Sequence, residues 1–418
     1  MSSLIAGANW NNGTNCRSRA QNANNSRVNA NSNIAGQFTA DTGQSYTPWL
    51  DVSTLVQNHQ NTRRSRCGAS SDSERHASHL KGQTMKRHGN LWDNITDLDN
   101  LRAAYRTARK GKSWQRTVQQ FDRTAETSLL GLQRILRNKT FTTSKYKTKV
   151  IHEPKERLIY SLPFFPDRIV QHALMQVLEP IWEGLFIHES HACRKGKGIH
   201  SGSIKTMEYV RKHDYCLKCD ISKFYPSIPH DTLFRIVKRK IKCPDTLALL
   251  ENIIYSIGGG TNTPIGNYTS QWFGNLYMNE LDRYVKQVLK IKAYVRYCDD
   301  FLLFHDDKRL LNDCAAKIKA FLADKLSLTM SKCSLFHVKQ GVDFLGYRHF
   351  RHHILLRKST TKRVIKRLAK LPGLVAKGMV SKESARSSIA STMGWMRWAN
   401  CHNLAHRLNL EQMKEQYV

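Results

Sequence analysis

Three things are scarce in this chain. No stretch approaches the roughly 20 consecutive apolar residues that a bilayer span needs, and the opening residues are polar and asparagine-rich rather than the apolar core of a secretory signal. Neither insertion nor export is expected, so the protein is read as cytoplasmic, with no membrane partner. Paired metal ligands are the second absence. The ten cysteines are scattered; only Cys216 and Cys219 lie close, in an apparent strand, and no second pair completes a zinc site. They are read as reduced core thiols. His349, His352 and His353 cluster among arginines without a carboxylate or cysteine partner, which fits a solvated or phosphate-facing edge better than a metal site. Acid is the third. Against 66 Lys and Arg there are 33 Asp and Glu, a formal charge of +33 on 418 residues. Ordinary solubility is served by net charges of about 2 to 8, so a polyanion is expected to share the surface, and nucleic acid is the leading candidate.

What is present divides into three. Residues 1–84 are rich in Asn, Ser, Arg, Gly and Gln and poor in periodic apolar residues, a composition that cannot bury enough surface to fold alone and is read as a disordered extension. From about Met85 a helical pattern begins, with Trp92, Ile95, Leu98 and Leu101 at helical spacing. A second helix is expected around Ala125 to Arg137, then strand-like alternation from Phe141 to Ile159. Helices and strands interleave through Tyr347, which argues for an α+β domain. After Arg357 the chain is basic and helical, first in KSTTKRVIKRLAKL, then beyond Pro372 and Gly373 in SKESARSSIASTMGWMRWANCHNLAHRL. Its Lys/Arg faces with Trp395 and Trp398 suit a surface gripping a duplex backbone; a plain amphipathic bundle with core tryptophans is the other reading.

The sharpest chemical signal is KAYVRYCDDFLLFHDD, an apolar run broken at its centre by Asp299 and Asp300. It reads as a hairpin. Adjacent carboxylates at its tip disfavour joint ionisation unless a cation sits between them, although paired aspartates also occur as loop caps and solvated turns. DYCLKCDISKFYPSIPH has the same form: an apolar strand, Asp220 at its end, then an aromatic pair and a proline turn. Two metal ions about 3.5–4 Å apart need such carboxylates to bridge them, one ion activating a hydroxyl and the other neutralising a triphosphate.

At this point the chain resembles a known family. EPKERLIYSLPFFPDRIVQHAL, SHACRKGKG, LKCDISKFYPSI, GGTNTPIGNYTSQWFGNLYMNELD, YCDD, LSLTMSKC and FLGY follow the order of the reverse transcriptase motifs. The resemblance covers roughly Met85 to the C-terminus. It is most specific for the reverse transcriptases of diversity-generating retroelements, bacterial and phage systems that mutate a target gene through an error-prone cDNA. What points to that branch is PIGNYTSQ: group II intron and retron relatives usually carry glutamine and glycine where this chain has Ile265 and Gly266, and the SQ signature stands as Ser270 and Gln271. The resemblance implies a right-hand polymerase, with fingers and an RRM-like antiparallel palm over residues 85–350 and a basic α-helical thumb over 351–418.

It also implies roles. Asp220, Asp299 and Asp300, with Ile221, would hold two magnesium ions, manganese being able to substitute. Arg157 would hold the incoming triphosphate, with Lys155 a second candidate. Tyr225 would stack beneath the sugar and exclude a ribose 2′-hydroxyl. Gly266 and Gln271 would lie at the nascent pair, and Lys332 would approach the pyrophosphate as a proton donor. Ile265 removes an amide near that pair, which would relax discrimination, chiefly opposite template adenines; it also reads as a packing residue. Cys298 departs from the family's usual methionine or alanine, but it is small and apolar, so the hairpin should survive.

The expected partners are a template RNA and its cDNA duplex, deoxynucleoside triphosphates, and a small basic accessory variability protein. The alternatives are a retron or group II intron-like enzyme of ordinary fidelity, and an RNA-binding protein that keeps the fold without catalysis, whose signature would be a lost carboxylate. The N-terminal string GANWNNGTNCRSRAQNANNSRVNANSNIAG resembles the asparagine-rich end of the lectin-like targets of such retroelements. It reads either as translated template repeat and leader or as an appended RNA-binding tail. No nuclease segment is evident after the thumb.

Overall fold

The computed structural model describes residues 86–152 and 156–417; the expected extension, Met85 and Lys155 lie outside the described residues. The chain enters through α1 (Trp92–Thr96) and α2 (Leu98–Arg109). The single helix expected from the Trp92 to Leu101 spacing is two, because the Asp97 side chain accepts from the backbone N–H groups of Asp99 and Asn100 and starts a new helix. Then follow α3 (Arg116–Asp122), α4 (Ala125–Arg137), the antiparallel hairpin β1 (Lys147–Ile151) and β2 (Arg157–Ser161), and α5 (Ile169–Glu183). After α6 (Ile199–Lys212) comes β3 (Tyr215–Ile221), then α7 (Phe224–Ser227), α8 (His230–Lys238), α9 (Pro244–Ile254) and α10 (Tyr268–Arg283). Strands β4 (Tyr294–Tyr297) and β5 (Asp300–His305) form a hairpin, followed by α11 (Lys308–Leu326) and β6 (Met330–His337).

The central sheet has the order β4-β5-β3-β6, every neighbour antiparallel. Period-two alternation sends Leu217, Cys219, Phe301 and Leu303 into one core with α5, α10 and α11, and Cys216, Leu302 and Phe304 into a second core with α6. Both faces of β3, β4 and β5 are covered, so these strands read as nearly continuous apolar runs, whereas β6 at the edge leaves Ser331 to Ser334 exposed. No helix among the described residues is long and apolar enough to cross a membrane.

A three-stranded sheet, β7 (Val342–Phe344), β8 (Tyr347–His349) and β9 (Ile354–Leu356), leads into α12 (Lys358–Ala376), α13 (Lys382–Met396), α14 (His402–Arg407) and α15 (Leu410–Glu415). Position 350 falls between β8 and β9, so the helices start only at Lys358. Pro372 and Gly373 do not separate two helices; they lie inside α12, where Val364, Leu368 and Leu371 bury one face up to the proline. Two further expectations change. His349 is fully buried, bonded to Ser203 Oγ at 2.7 Å and Val342 O at 3.0 Å, because strand alternation turns it inward. Trp395 and Trp398 are half-buried: Trp395 packs on Tyr347 and Trp398 stacks on His200 at 4.2 Å, so they dock the helices onto β8 and α6 instead of presenting an aromatic grip.

Candidate polymerase active site

The register of the central sheet assembles the carboxylates. Cys219 faces Phe301, so the next step along both strands sets Asp220, at the end of β3, beside Asp300, at the start of β5. Asp299 occupies the two-residue turn with Cys298, whose φ of 53° lies in the left-handed region that tight turns require. Beneath this turn runs a buried brace. The Arg296 guanidinium on β4 pairs with Asp282 of α10 at 2.6 and 2.7 Å and donates to Ser190 Oγ at 2.9 Å, Asn275 Oδ1 at 3.2 Å and the Cys298 carbonyl at 3.0 Å. Tyr294 adds a hydrogen bond to Asp282 at 2.8 Å. The turn backbone is thus tied to a fully buried ion pair.

Proximity without compensation shows in the acidities. Burial, then the charges of Asp300 and Asp220, pushes the Asp299 carboxyl up to about 7 despite the opposing pull of Arg157. Burial and then Asp220 push Asp300 up to about 6. Among the described residues no group of three or more His, Cys, Asp or Glu side chains already converges as a metal cage, although Asp220 lies close enough to Asp300 to raise its carboxyl. The donor set fits hard divalent ions: all oxygen, carboxylates in excess of cations, and a strand irregularity between Asp220 and Ile221 that turns the Ile221 backbone out of the regular ladder. Of the positions expected to hold metal, Ile221 is buried and lies on the cavity wall with Asp220 and Asp299.

That cavity encloses about 470 Å³ and brings together Asp220, Asp299, Arg157, Tyr225, Ile265 and Gln271. Arg157 enters from β2, partly buried, its acidity shifted by burial and opposed by Asp299. Tyr225 comes from α7, its phenol kept protonated by burial and by Cys298 and Cys193. Ile265 reaches the wall from the loop before α10, which is fastened at both ends: Thr263 N donates to Tyr225 O at 2.8 Å and Tyr160 N on β2 donates to Ile265 O at 2.8 Å. Gly266 stands outside the cavity against the fingers hairpin. Its φ is +130°, and a Cβ there would meet the Tyr160 carbonyl at 2.0 Å, so only glycine lets this loop lie on β2. Ser270 is buried and donates to Pro264 O at 2.7 Å, bracing the same loop. Lys332 pairs with Asp220 in the β3–β6 register but is solvent-exposed and off the cavity wall.

Several site residues were not singled out from sequence. Ser331 donates to Asp220 Oδ2 at 2.6 Å; its only signal was its place beside Lys332 in LSLTMSKC. Asn262 Nδ2 donates to Tyr160 OH at 3.0 Å across the cavity. Cys193 lies close enough to Cys298 to raise its thiol. Arg296 and Asp282 gave no signal, since a lone arginine in YVRY reads as an exposed strand position.

Residues 143–349 match the family described as reverse transcriptase (RNA-dependent DNA polymerase). The chain is 26% identical to protein YkfC of Escherichia coli over 240 residues, 46% of this chain and 62% of YkfC. It is 24% identical to the group II intron-encoded protein LtrA of Lactococcus lactis over 294 residues, 52% and 47% of the two chains. A solved apo telomerase from Candida tropicalis superposes with TM-score 0.43 and 11% identity over 66% of this chain and 58% of that one. The chain therefore spans less than two thirds of the length of each of these relatives. The segment from 143 to 349, which carries Asp220, Asp299, Asp300, Arg157 and Tyr225, is a reverse transcriptase domain related to those of group II intron proteins.

Proposed function

We propose that the protein as a whole is an RNA-directed DNA polymerase acting through the Asp220, Asp299 and Asp300 site. The observation that carries this is the meeting of Asp220 and Asp299 on a cavity whose wall also holds Arg157 and Tyr225, with Asp300 set beside Asp220 by the strand register. Two magnesium ions, or manganese in their place, would supply charge that activates the primer hydroxyl and neutralises the leaving pyrophosphate. The chain's own groups do the rest by positioning. Asp220, Asp299 and Asp300 hold the reacting end, with Ser331 fixing the rotamer of Asp220. Arg157 takes the triphosphate oxygens with a planar two-donor fork. Tyr225 closes the floor under the sugar, where an added 2′-hydroxyl would collide with its ring. Lys332, exposed on the edge strand and off the cavity wall, would have to swing toward the departing pyrophosphate to donate a proton.

The finer reading is error-prone synthesis on a template-repeat RNA for diversification of a target gene, with a small basic accessory protein as partner, in a bacterial or phage-infected cytoplasm. It is supported by Ile265, an apolar side chain on the cavity wall, and by Gly266, which locks that loop onto β2. A site offering fewer hydrogen bonds to the nascent pair rejects mismatches less strongly. A second reading, faithful synthesis of group II intron type, is favoured by the intron-encoded relative LtrA. Primer extension on an adenine-containing RNA, with the cDNA sequenced, separates them. The expected result is misincorporation concentrated at adenines and reduced by Ile265→Gln, with synthesis falling on the order of 10³-fold in Asp299→Ala. Faithful cDNA would select the second reading, and synthesis surviving in Asp299→Ala would remove the site itself.

A further inference from the structure

One rung of the β3–β6 ladder is a pair of cysteines. Cys219 and Cys333 stand opposite one another in the antiparallel register, and their sulfurs lie 3.6 Å apart. Directly opposed residues on such strands hold their Cα atoms about 4.5–5.5 Å apart, inside the span of about 4.4–6.8 Å that a disulfide bridges. The two thiols differ in access. Cys219 is fully buried, whereas Cys333 is the single exposed cysteine among the described residues. Hydrogen bonding with Cys219, then the charge of Lys319 on α11, holds the Cys333 thiol down at about 7 against its burial. An exposed sulfur with thiolate character beside a buried partner suits an attacking and a resolving cysteine.

The neighbours of the pair give its closure a consequence. Asp220 follows Cys219 and stands opposite Lys332; Ser331, two residues before Cys333, donates to Asp220 Oδ2 at 2.6 Å; and the ladder slips immediately beyond, between Asp220 and Ile221. Closing the sulfurs from 3.6 Å to a bond of about 2.0 Å tightens the strands beside this irregularity. Displacements near 1 Å at a reacting group cost up to about 100-fold in rate. Resting on the polymerase reading for its effect on synthesis, we propose that Cys333 and Cys219 are a peroxide-reactive thiol pair, which closes to a disulfide across β3 and β6 and slows synthesis until a thiol reduces it.

The chemistry balances with hydrogen peroxide as the oxidant. The Cys333 thiolate attacks one peroxide oxygen; an S–O bond forms, the O–O bond breaks, and the departing hydroxide takes up the proton that Cys333 released. The Cys219 sulfur then attacks the Cys333 sulfur. An S–S bond forms, the S–O bond breaks, and the hydroxyl leaves with the Cys219 proton as water. Two thiols are oxidised, and one peroxide is reduced to two waters.

The test treats the reduced full chain with hydrogen peroxide, maps linked peptides by mass spectrometry, and follows primer extension before and after dithiothreitol. The expected result is a Cys219–Cys333 link and a fall in kcat on the order of 10- to 100-fold with little change in KM, both reversed by the reductant. Cys333→Ser should keep the original rate and lose both link and slowing. Cys219→Ala should trap Cys333 as a sulfenic acid that dimedone labels; should that buried variant not fold, Cys333→Ser at its exposed position decides alone. A link between other cysteines, a link without slowing, or slowing that persists in Cys333→Ser overturns the proposal; the last would pass the effect to Cys193 and Cys298 on the cavity wall. A reversible Cys219–Cys333 link in a reduced protein that extends no primer would sink the polymerase reading and leave the thiol pair standing.

Discussion

The palm sheet and the fingers hairpin meet at one cavity but are built in opposite ways. The sheet has four strands, both faces covered over β3, β4 and β5, and a buried Arg296–Asp282 pair beneath its turn. The hairpin of β1 and β2 has two strands, leaves Val150 and Leu158 exposed, and is held at Tyr160 by Ile265 and Asn262. The difference follows from the charges each carries. Carboxylates that repel one another need a frame able to absorb the cost, whereas a single arginine, Arg157, needs only to be presented at the cavity wall.

Removing the frame should have the largest effect. Asp282→Ala leaves Arg296 buried and unpaired, so it should cost about 3–5 kcal/mol in denaturant unfolding. A change below about 1 kcal/mol would mean that the turn does not depend on the pair. The hairpin is broken instead by Gly266→Ala, which drives a methyl into the Tyr160 carbonyl. Its expected outcome is a rise of about tenfold in KM for the nucleotide with much smaller loss of stability than Asp282→Ala; the reverse pattern would make the hairpin part of the frame.

The carboxylate repulsion itself can be weighed by Asp299→Asn. Because the folded carboxyl titrates near 7 instead of its ordinary 3.8, its stabilising protonated form is fully present below about pH 4 and lost as pH rises through 7. In the absence of divalent metal the variant should therefore match the original Tm near pH 4 and exceed it by several degrees at pH 8, and a gap independent of pH would refute the assignment. The smallest effect is expected of Ser331→Ala, about three- to tenfold in kcat with little change in KM or Tm, since it frees one rotamer of Asp220; an unchanged kcat would make that hydrogen bond incidental.

How much of this was legible in the sequence depends on how local each cause is. The YCDD hairpin shows because two apolar strands and a two-residue turn are contiguous, and Ala125–Arg137 shows because Leu129, Leu132 and Leu136 repeat at helical spacing. The break at Asp97 hides because a capping side chain inside an apolar period looks like one more polar position. The inward turn of His349 depends on Ser203, 146 residues away in sequence. Pro372 misleads for the opposite reason: a local breaker is overruled by a buried apolar face.

The strand order β4-β5-β3-β6 also has a consequence in time. Both neighbours of β3 come later in the chain, so during synthesis YCLKCDI leaves the ribosome with two open edges. At roughly 5–20 residues per second it waits several seconds for β5 and longer for β6. A nascent chain in that interval has Asp220 but neither Asp299 nor Asp300, and a sticky apolar ribbon in place of a sheet. The carboxylate cluster is therefore completed late, and heterologous production should be limited by how well the cell shelters that one unpaired strand.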